Sequence, residues 1–235
     1  LLPRVDLCDF SATALVDLIA RREVSAREVM IAFLERVDRL NPTYNAIVSR
    51  RDADVLVAEA EAAAPGRLHG LPMAIKDTAD TAGIRTTRGS PLLAEFVPPT
   101  DGIAVGRVRA AGAIVIGKTN VPEFALGSHT YNPVFGATGN AWDPTLSAGG
   151  SSGGAAVAVA HRMVPFADGS DLGGSIRNPP AWNNVFGLRP SQGLVPSRST
   201  VDSFWSQLAT EGPIARNAED LALLLAVQAG YDIAD

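Results

Sequence analysis

The hydrophobic pattern changes character about a third of the way along the chain. Up to residue 66 its spacing is helical. An amphipathic helix is predicted from Ser11, as its cap, to about Arg22. Ser25 and Glu28 make an S-x-x-E capping box for a second helix that runs to Asn41-Pro42. The alanine- and glutamate-rich stretch from Asp52 to Ala64 predicts a third, stopped by Pro65-Gly66. Short apolar runs follow. Leu71 to Ile75 and Ala113 to Ile116 predict buried strands, with a helix from about Asp101 to Ala111 between them. Ala155 to Ala160 is small and apolar on every face, as a fully buried helix would be. Met163 to Ala167 and Val185 to Leu188 predict further strands. The last helix runs from Asn217, its cap, to Ala229, with Gly230 as its stop. This alternation predicts an α/β fold, a layered mixed β-sheet core covered by helices. The expected organisation is a helical segment over 1–66 and an α/β core over 67–235, together one incomplete domain.

Composition narrows the class. The chain has 235 residues, 46% hydrophobic and 19% charged, which suits a globular protein with a substantial core. A net charge of −5 gives no electrostatic reason to expect nucleic acid or an anionic membrane as a partner. A single cysteine, Cys8, excludes an internal disulfide and fits a reducing, cytoplasmic compartment. Neither a secretory leader nor a membrane span is apparent. The chain starts at Leu1 rather than Met, so part of the natural protein is expected to be missing.

Two motifs invite functional readings that the surrounding residues oppose. Gly112 to Thr119 fits the phosphate-loop pattern G-x-x-x-x-G-K-T. Its four intervening residues are apolar and mostly β-branched, so a strand is expected there and not a phosphate cradle. A nucleotide-binding module at Gly112–Thr119 therefore stands as a remote alternative. Gly149-Gly150-Ser151-Ser152-Gly153 satisfies G-x-S-x-G, the nucleophile elbow. That machinery needs an acid and then a histidine later in the chain. The histidines are His69, His129 and His161, and no Asp or Glu separates Ser151 from His161. No H-E-x-x-H or C-x-x-C occurs, so neither a metal nor another cofactor is expected.

Three segments remain. Gly70-Leu71-Pro72-Met73-Ala74-Ile75-Lys76-Asp77 ends an apolar strand on a lysine. Ala148 to Gly154 is a Gly/Ser run, and Asp168 to Arg177 is a second one with charged flanks. Singly, these read as a solvated strand tip and two flexible turns. Together they resist that account, because flexible linkers do not lead directly into all-apolar helices.

Taken together the segments resemble the amidase signature family. Its hallmarks are a G-L-P-x-x-I-K-D strand, a G-G-S-S-G-G loop and a D-x-G-G-S-x-R segment, all present in order. Gly117 to Phe124, Gly187 to Ser191 and Glu211 to Arg216 also match, and the resemblance runs from about Leu15 to Tyr231. It covers the first half of the family's domain. It implies a serine amidohydrolase acting on linear amides through an acyl-enzyme. Ser175 would be the nucleophile, Ser151 (after a cis bond to Gly150) the proton relay and Lys76 the base. The N–H groups of Leu172, Gly173, Gly174 and Ser175 would form the oxyanion hole. Gly150, Ser152, Asp171 and Arg177 would support them by holding the two loops together, a plain surface ion pair being the other reading of Asp171 and Arg177. Lysine is ordinarily protonated up to about pH 10.4, so a base near neutrality requires burial to disfavour the ammonium.

The family also includes the A subunit of a glutamine-dependent tRNA amidotransferase. Asn178-Pro179-Pro180-Ala181-Trp182-Asn183-Asn184 departs from the cysteine-containing version common in the transferase, and Arg189 stands where that version has lysine. These departures favour a stand-alone amidase, with the transferase component as the alternative. The expected partner is a small-molecule amide, with no nucleic acid and no membrane. Either a missing C-terminal segment or homo-oligomerisation is expected to cover the open sheet. Phe204, Trp205 and His129 to Asn132 are candidate pocket residues, core packing or plain exposure being equally good accounts of them.

Overall fold

In the computed structural model, residues 6–197 and 208–233 are described. Phe204 and Trp205 lie outside them. The capped helices form where local chemistry calls for them. Ser11 accepts the N–H of Ala14 and opens α1, Ala12–Ala20. The Ser25–Glu28 capping box is complete at the head of α2, Ala26–Tyr44. That helix runs through Pro42, past its expected end, and stops where Asn45 turns left-handed. A proline in the last turn forfeits only one hydrogen bond there. The Asn41 amide then fixes the exit, accepting from Ala46 N and Ile47 N and donating to Ile47 O. Asp52 caps α3, Ala53–Glu61.

The centre is a six-stranded mixed sheet. Its strands are β1 (Ile47–Val48), β2 (Pro72–Lys76), β3 (Ile114–Thr119), β6 (Phe166–Asp171), β7 (Phe186–Gly187) and β8 (Thr210–Ala215), in the order β1-β3-β2-β6-β8-β7. Strands β4 (Tyr131–Asn132) and β5 (Gly136–Ala137) form a separate hairpin. Strand β2 runs parallel to β3 and β6, and β6 is antiparallel to β8 from Phe166↔Ala215 to Asp171↔Thr210. Helix α4, Ile103–Ala110, makes the crossover from β2 to β3. The expected α/β layered sheet is therefore observed.

Helix α5, Gly153–Ala160, packs against the sheet with Gly153 to Val159 buried, as its all-apolar sequence requires. It descends from the Gly/Ser run and so fixes that loop against the ends of β2 and β6. Short α6, Asn178–Trp182, follows the second Gly/Ser run, and α7, Ala218–Gln228, closes the described chain with Asn217 as its cap. Strand β6 starts later and ends later than the expected Met163 to Ala167. Its polar end, Asp168 to Asp171, is held in the sheet by pairing with β8.

Candidate active site

Lys76 is the last residue of β2 and is 1% exposed. Its Nζ donates to Ser151 Oγ and Ser152 Oγ, each at 2.8 Å. It also donates to Ser170 Oγ at 2.9 Å and Ser170 O at 3.3 Å. Burial pushes the amine down to about 7, against the pull of Asp168, Glu211 and Asp171, which favour the ammonium. A substantial share of the amine is thus free base at neutral pH.

The Gly150–Ser151 peptide bond is cis. Gly150 lies under the backbone of the 127–129 segment. A Cβ there would stand 2.8 Å from His129 N and 2.8 Å from Ser128 C, so only glycine fits. Thr130 braces the loop at both ends: its Oγ1 donates to Gly149 O at 2.7 Å and accepts from Gly153 N at 3.1 Å.

The second Gly/Ser run is organised by Asp171. Its buried carboxylate accepts Gly174 N at 2.7 Å, Ile176 N at 3.1 Å, and both Nε and Nη2 of Arg177 at 3.0 Å. Arg189 Nε approaches to 3.4 Å. Burial raises this carboxyl, but the Arg177 hydrogen bond and the two N–H donors outweigh it and hold it at about 2. These contacts shape the loop from within and tie it to Arg189, while the lysine–serine contacts connect it to the first loop. Arg177 is 56% exposed against a carboxylate of zero exposure, so the pair is half buried and half surface.

Ser175 stands half-buried on this loop, just ahead of α6. Among the described residues no hydrogen bond joins its hydroxyl to Ser151 or Lys76. Of the four N–H groups expected to converge on an oxyanion, that of Gly174 is given to Asp171. The structure thus assembles Lys76, Ser151 and Ser152 tightly and leaves the Ser175 hydroxyl outside that network.

Sequence reasoning missed two of the lysine's neighbours. Ser170 contacts the amine, and Asp168 accepts the backbone N–H of Lys76 at 2.7 Å. Both lie in the polar end of β6, which reads as loop. Gly112 to Thr119 does not form a phosphate loop: residues from Ile114 form β3, and Lys118 is buried with its Nζ on Ala79 O and Thr81 Oγ1, each at 2.6 Å. His161 caps the far end of α5 against Tyr44, well away from Ser151. Burial pushes the Cys8 thiol up to about 12, which removes it as a nucleophile. Of His129 to Asn132, all but Thr130 line a surface cavity of about 340 Å³, with Phe124 and Leu126, beside the 127–129 segment that covers Gly150. Among the described residues no group of three His, Cys, Asp or Glu could hold a metal ion, and no helix is long and apolar enough to cross a membrane.

Comparison with known proteins extends this picture. The chain is 48% identical over 218 residues to the A subunit of the glutamyl-tRNA(Gln) amidotransferase of Thermus thermophilus, covering 92% of this chain and 46% of that protein. Among solved structures, a 6-aminohexanoate cyclic dimer hydrolase bound to its substrate superposes with a TM-score of 0.91 at 34% identity, covering 98% of this chain and 48% of that one. The A subunit of the glutamyl-tRNA(Gln) amidotransferase of Thermotoga maritima gives 0.84 at 35% identity, covering 98% and 49%. The chain therefore spans about half the length of the relatives it matches.

These relatives overturn one expectation. A small-molecule partner, with nucleic acid excluded and only self-association foreseen, does not stand beside relatives named as one subunit of an enzyme of glutamyl-tRNA(Gln). The reason is physical: the net charge of one segment describes that segment's surface alone. An assembly can carry its basic surface on another polypeptide. The profile of the family described as Amidase matches residues 28–235, nearly nine-tenths of the chain, and with this the chain belongs to the amidase (amidase signature) family.

Proposed function

We propose that this chain carries the amide-cleaving centre of a glutamine-dependent tRNA amidotransferase, as part of its A subunit, with Ser175, Ser151 and Lys76 as the catalytic residues. The observation that carries the reading is the buried Lys76 amine, 2.8 Å from Ser151 Oγ and held near pKa 7. A serine hydroxyl is a poor nucleophile until a base takes its proton. Ser175 Oγ attacks the amide carbon, its proton passes to Ser151, and the Ser151 proton passes to Lys76 Nζ. The relay contact closes when substrate binds, since catalytic hydrogen bonds are often long in the free enzyme. The N–H groups of Leu172, Gly173 and Ser175 stabilise the oxyanion, Gly174 being engaged by Asp171. Collapse breaks the C–N bond, and the leaving nitrogen takes the relayed proton and departs as ammonia. Water then hydrolyses the acyl-enzyme by the same relay run on Ser175 as leaving group.

The choice of the amidotransferase rests on relatives named as that subunit, at 43–48% identity, and glutamine as its amide follows from the family resemblance alone. The tRNA would be met through the other subunits of the assembly, in the cytoplasm. A second reading, a stand-alone amide hydrolase, is supported by the higher TM-score to the 6-aminohexanoate cyclic dimer hydrolase, 0.91 against 0.84. The Asn178 to Asn184 departure supports it too. Ammonia release from glutamine, measured beside cleavage of aliphatic, aryl and ω-amino acid amides, separates the two. Glutamine turnover supports the first reading, and cleavage of the other amides alone replaces it with the second. Undiminished labelling of Ser175→Ala by a fluorophosphonate would refute the serine assignment common to both.

A further inference from the structure

Strands β2 and β6 pair at a single register position, Ala74↔Ala167. Beyond it the main-chain ladder stops, at the point where the Lys76 amine, Ser151, Ser152 and Ser170 need room to meet. The Lys76 N–H, two residues on, would lie without a strand partner on that side. It is taken instead by Oδ1 of Asp168, at 2.7 Å. Asp168 is buried, and burial pushes its carboxyl up, while the Lys76 N–H and two buried lysines that it faces, Lys118 on β3 and Lys76 on β2, favour its charged form. Lys118 in turn faces Asp77 and Asp80, with Arg109 as a like charge. Lys76 faces Asp168 and Asp171 on β6 and Glu211 on β8.

We infer that Asp168 is a positioning residue for Lys76: its carboxylate replaces the lost sheet partner at the lysine's own N–H and balances the charge of the amine. The inference rests on the reading of Lys76 as base proposed above. One side chain then does two separable things. Its oxygen anchors the backbone where the strands part, and its negative charge stabilises the ammonium form. Direction follows from that charge. Burial alone would push the Lys76 amine further down, and Asp168 is the leading opposing influence. Removing the charge while keeping the acceptor should make the amine a free base at lower pH.

The test is the rate of labelling by a fluorophosphonate as a function of pH, which needs no knowledge of the natural amide. Asp168→Asn keeps an acceptor oxygen and loses the charge. Its acidic limb should move down by about one pH unit, with a plateau within about threefold of the parent. Asp168→Glu keeps the charge but displaces the oxygen, so its acidic limb should stay in place while the plateau falls about tenfold. An Asp168→Asn profile superimposed on the parent overturns the inference, as does an acidic limb in Asp168→Glu that moves as far as in Asp168→Asn. Lys76→Ala and Ser175→Ala separate the levels. If either labels at the parent rate, the catalytic reading fails. If both are inert and Asp168→Asn is unshifted, only the role of Asp168 fails.

Discussion

Ser152 stands at the N-terminus of α5, yet its hydroxyl accepts from Lys76 Nζ at 2.8 Å and makes no capping bond to the helix. A serine at this position ordinarily accepts an N–H of the first turn. Here the hydroxyl helps to hold a buried amine. Ser152→Ala should therefore leave stability within about 1 kcal/mol of the parent, since no cap is lost. The amine loses one of its hydroxyl acceptors, so acyl-enzyme formation should slow by about tenfold, a loss near 1.4 kcal/mol. Melting temperature and labelling rate measured on one preparation check both, and a large drop in melting temperature would contradict the first.

Lys76 is worked against by the fold that buries it. Its ordinary value is 10.5 and its folded value is about 7, so between these pH values the unfolded chain binds more protons. Stability then rises with pH across that window. Below pH 7 the buried site must hold an ammonium, at a cost of about 5 kcal/mol, and above about 10.5 that cost disappears. Lys76→Met removes the charge but leaves Ser151, Ser152 and Ser170 without their donor. The variant should be inactive. Its stability relative to the parent should be highest near pH 6 and decline towards pH 10. Chemical denaturation across that range checks it, and a flat difference would show that Lys76 is not the group responsible.

The elements legible from sequence were those announced by local chemistry. Ser11, the Ser25–Glu28 box and Asn217 each cap the helix expected from them, and Asp52, expected as the first residue of the third helix, is its cap. Lys76 and the two Gly/Ser runs were legible as a set because no single bland account covers a strand-ending lysine and two glycine-rich turns. What stayed hidden depends on distant partners. Strand β8 contains Gly212-Pro213, which reads as a turn, and it is a strand only because β6 and β7 pair with it on either side. The polar end of β6 reads as loop for the same reason, which hid Ser170 and Asp168. Two-residue β1 is too short to show a period at all. Local signals and final structure disagree where the site is built, as expected when function overrides local preference.

The carboxylate of Asp171 accepts two backbone N–H groups and a bidentate Arg177. Its folded value near 2 lies below the ordinary 3.8, so its contribution is fully present above 3.8 and is lost as pH falls through 2. Asp171→Asn cannot satisfy two N–H donors and two guanidinium contacts together, and it leaves Arg177 and Arg189 without their anion. A loss of about 1–3 kcal/mol is expected at neutral pH. The loop carrying Ser175 should lose its shape, with labelling reduced more than a hundredfold. The two proteins should converge in stability near pH 2. A stability difference that persists there would show that packing, not the charge of Asp171, is the cause.

Asp220 joins the two ends of the described chain. It sits in the first turn of α7, and its two carboxylate oxygens accept Ala12 N at 2.8 Å and Thr13 N at 2.9 Å, the opening N–H groups of α1. Asn217 adds a third donor at 3.0 Å. Helix α1 thus has Ser11 as its own cap and a second, negatively charged acceptor from more than two hundred residues away. That charge also faces the positive end of the helix. Asp220→Ala strands one buried donor, Ala12 N, and one part-buried donor, Thr13 N, which costs about 2–3 kcal/mol. Asp220→Asn keeps one oxygen acceptor and loses the charge, so about half of that loss is expected. Neither substitution touches Lys76, Ser151 or Ser175, and the pH profile of labelling should stay that of the parent. Melting temperatures falling in the order parent, Asp220→Asn, Asp220→Ala, with unchanged labelling at 25 °C, are the expected outcome. Equal melting temperatures for all three would show that Ser11 alone secures α1, and altered labelling would show that the clamp reaches the site.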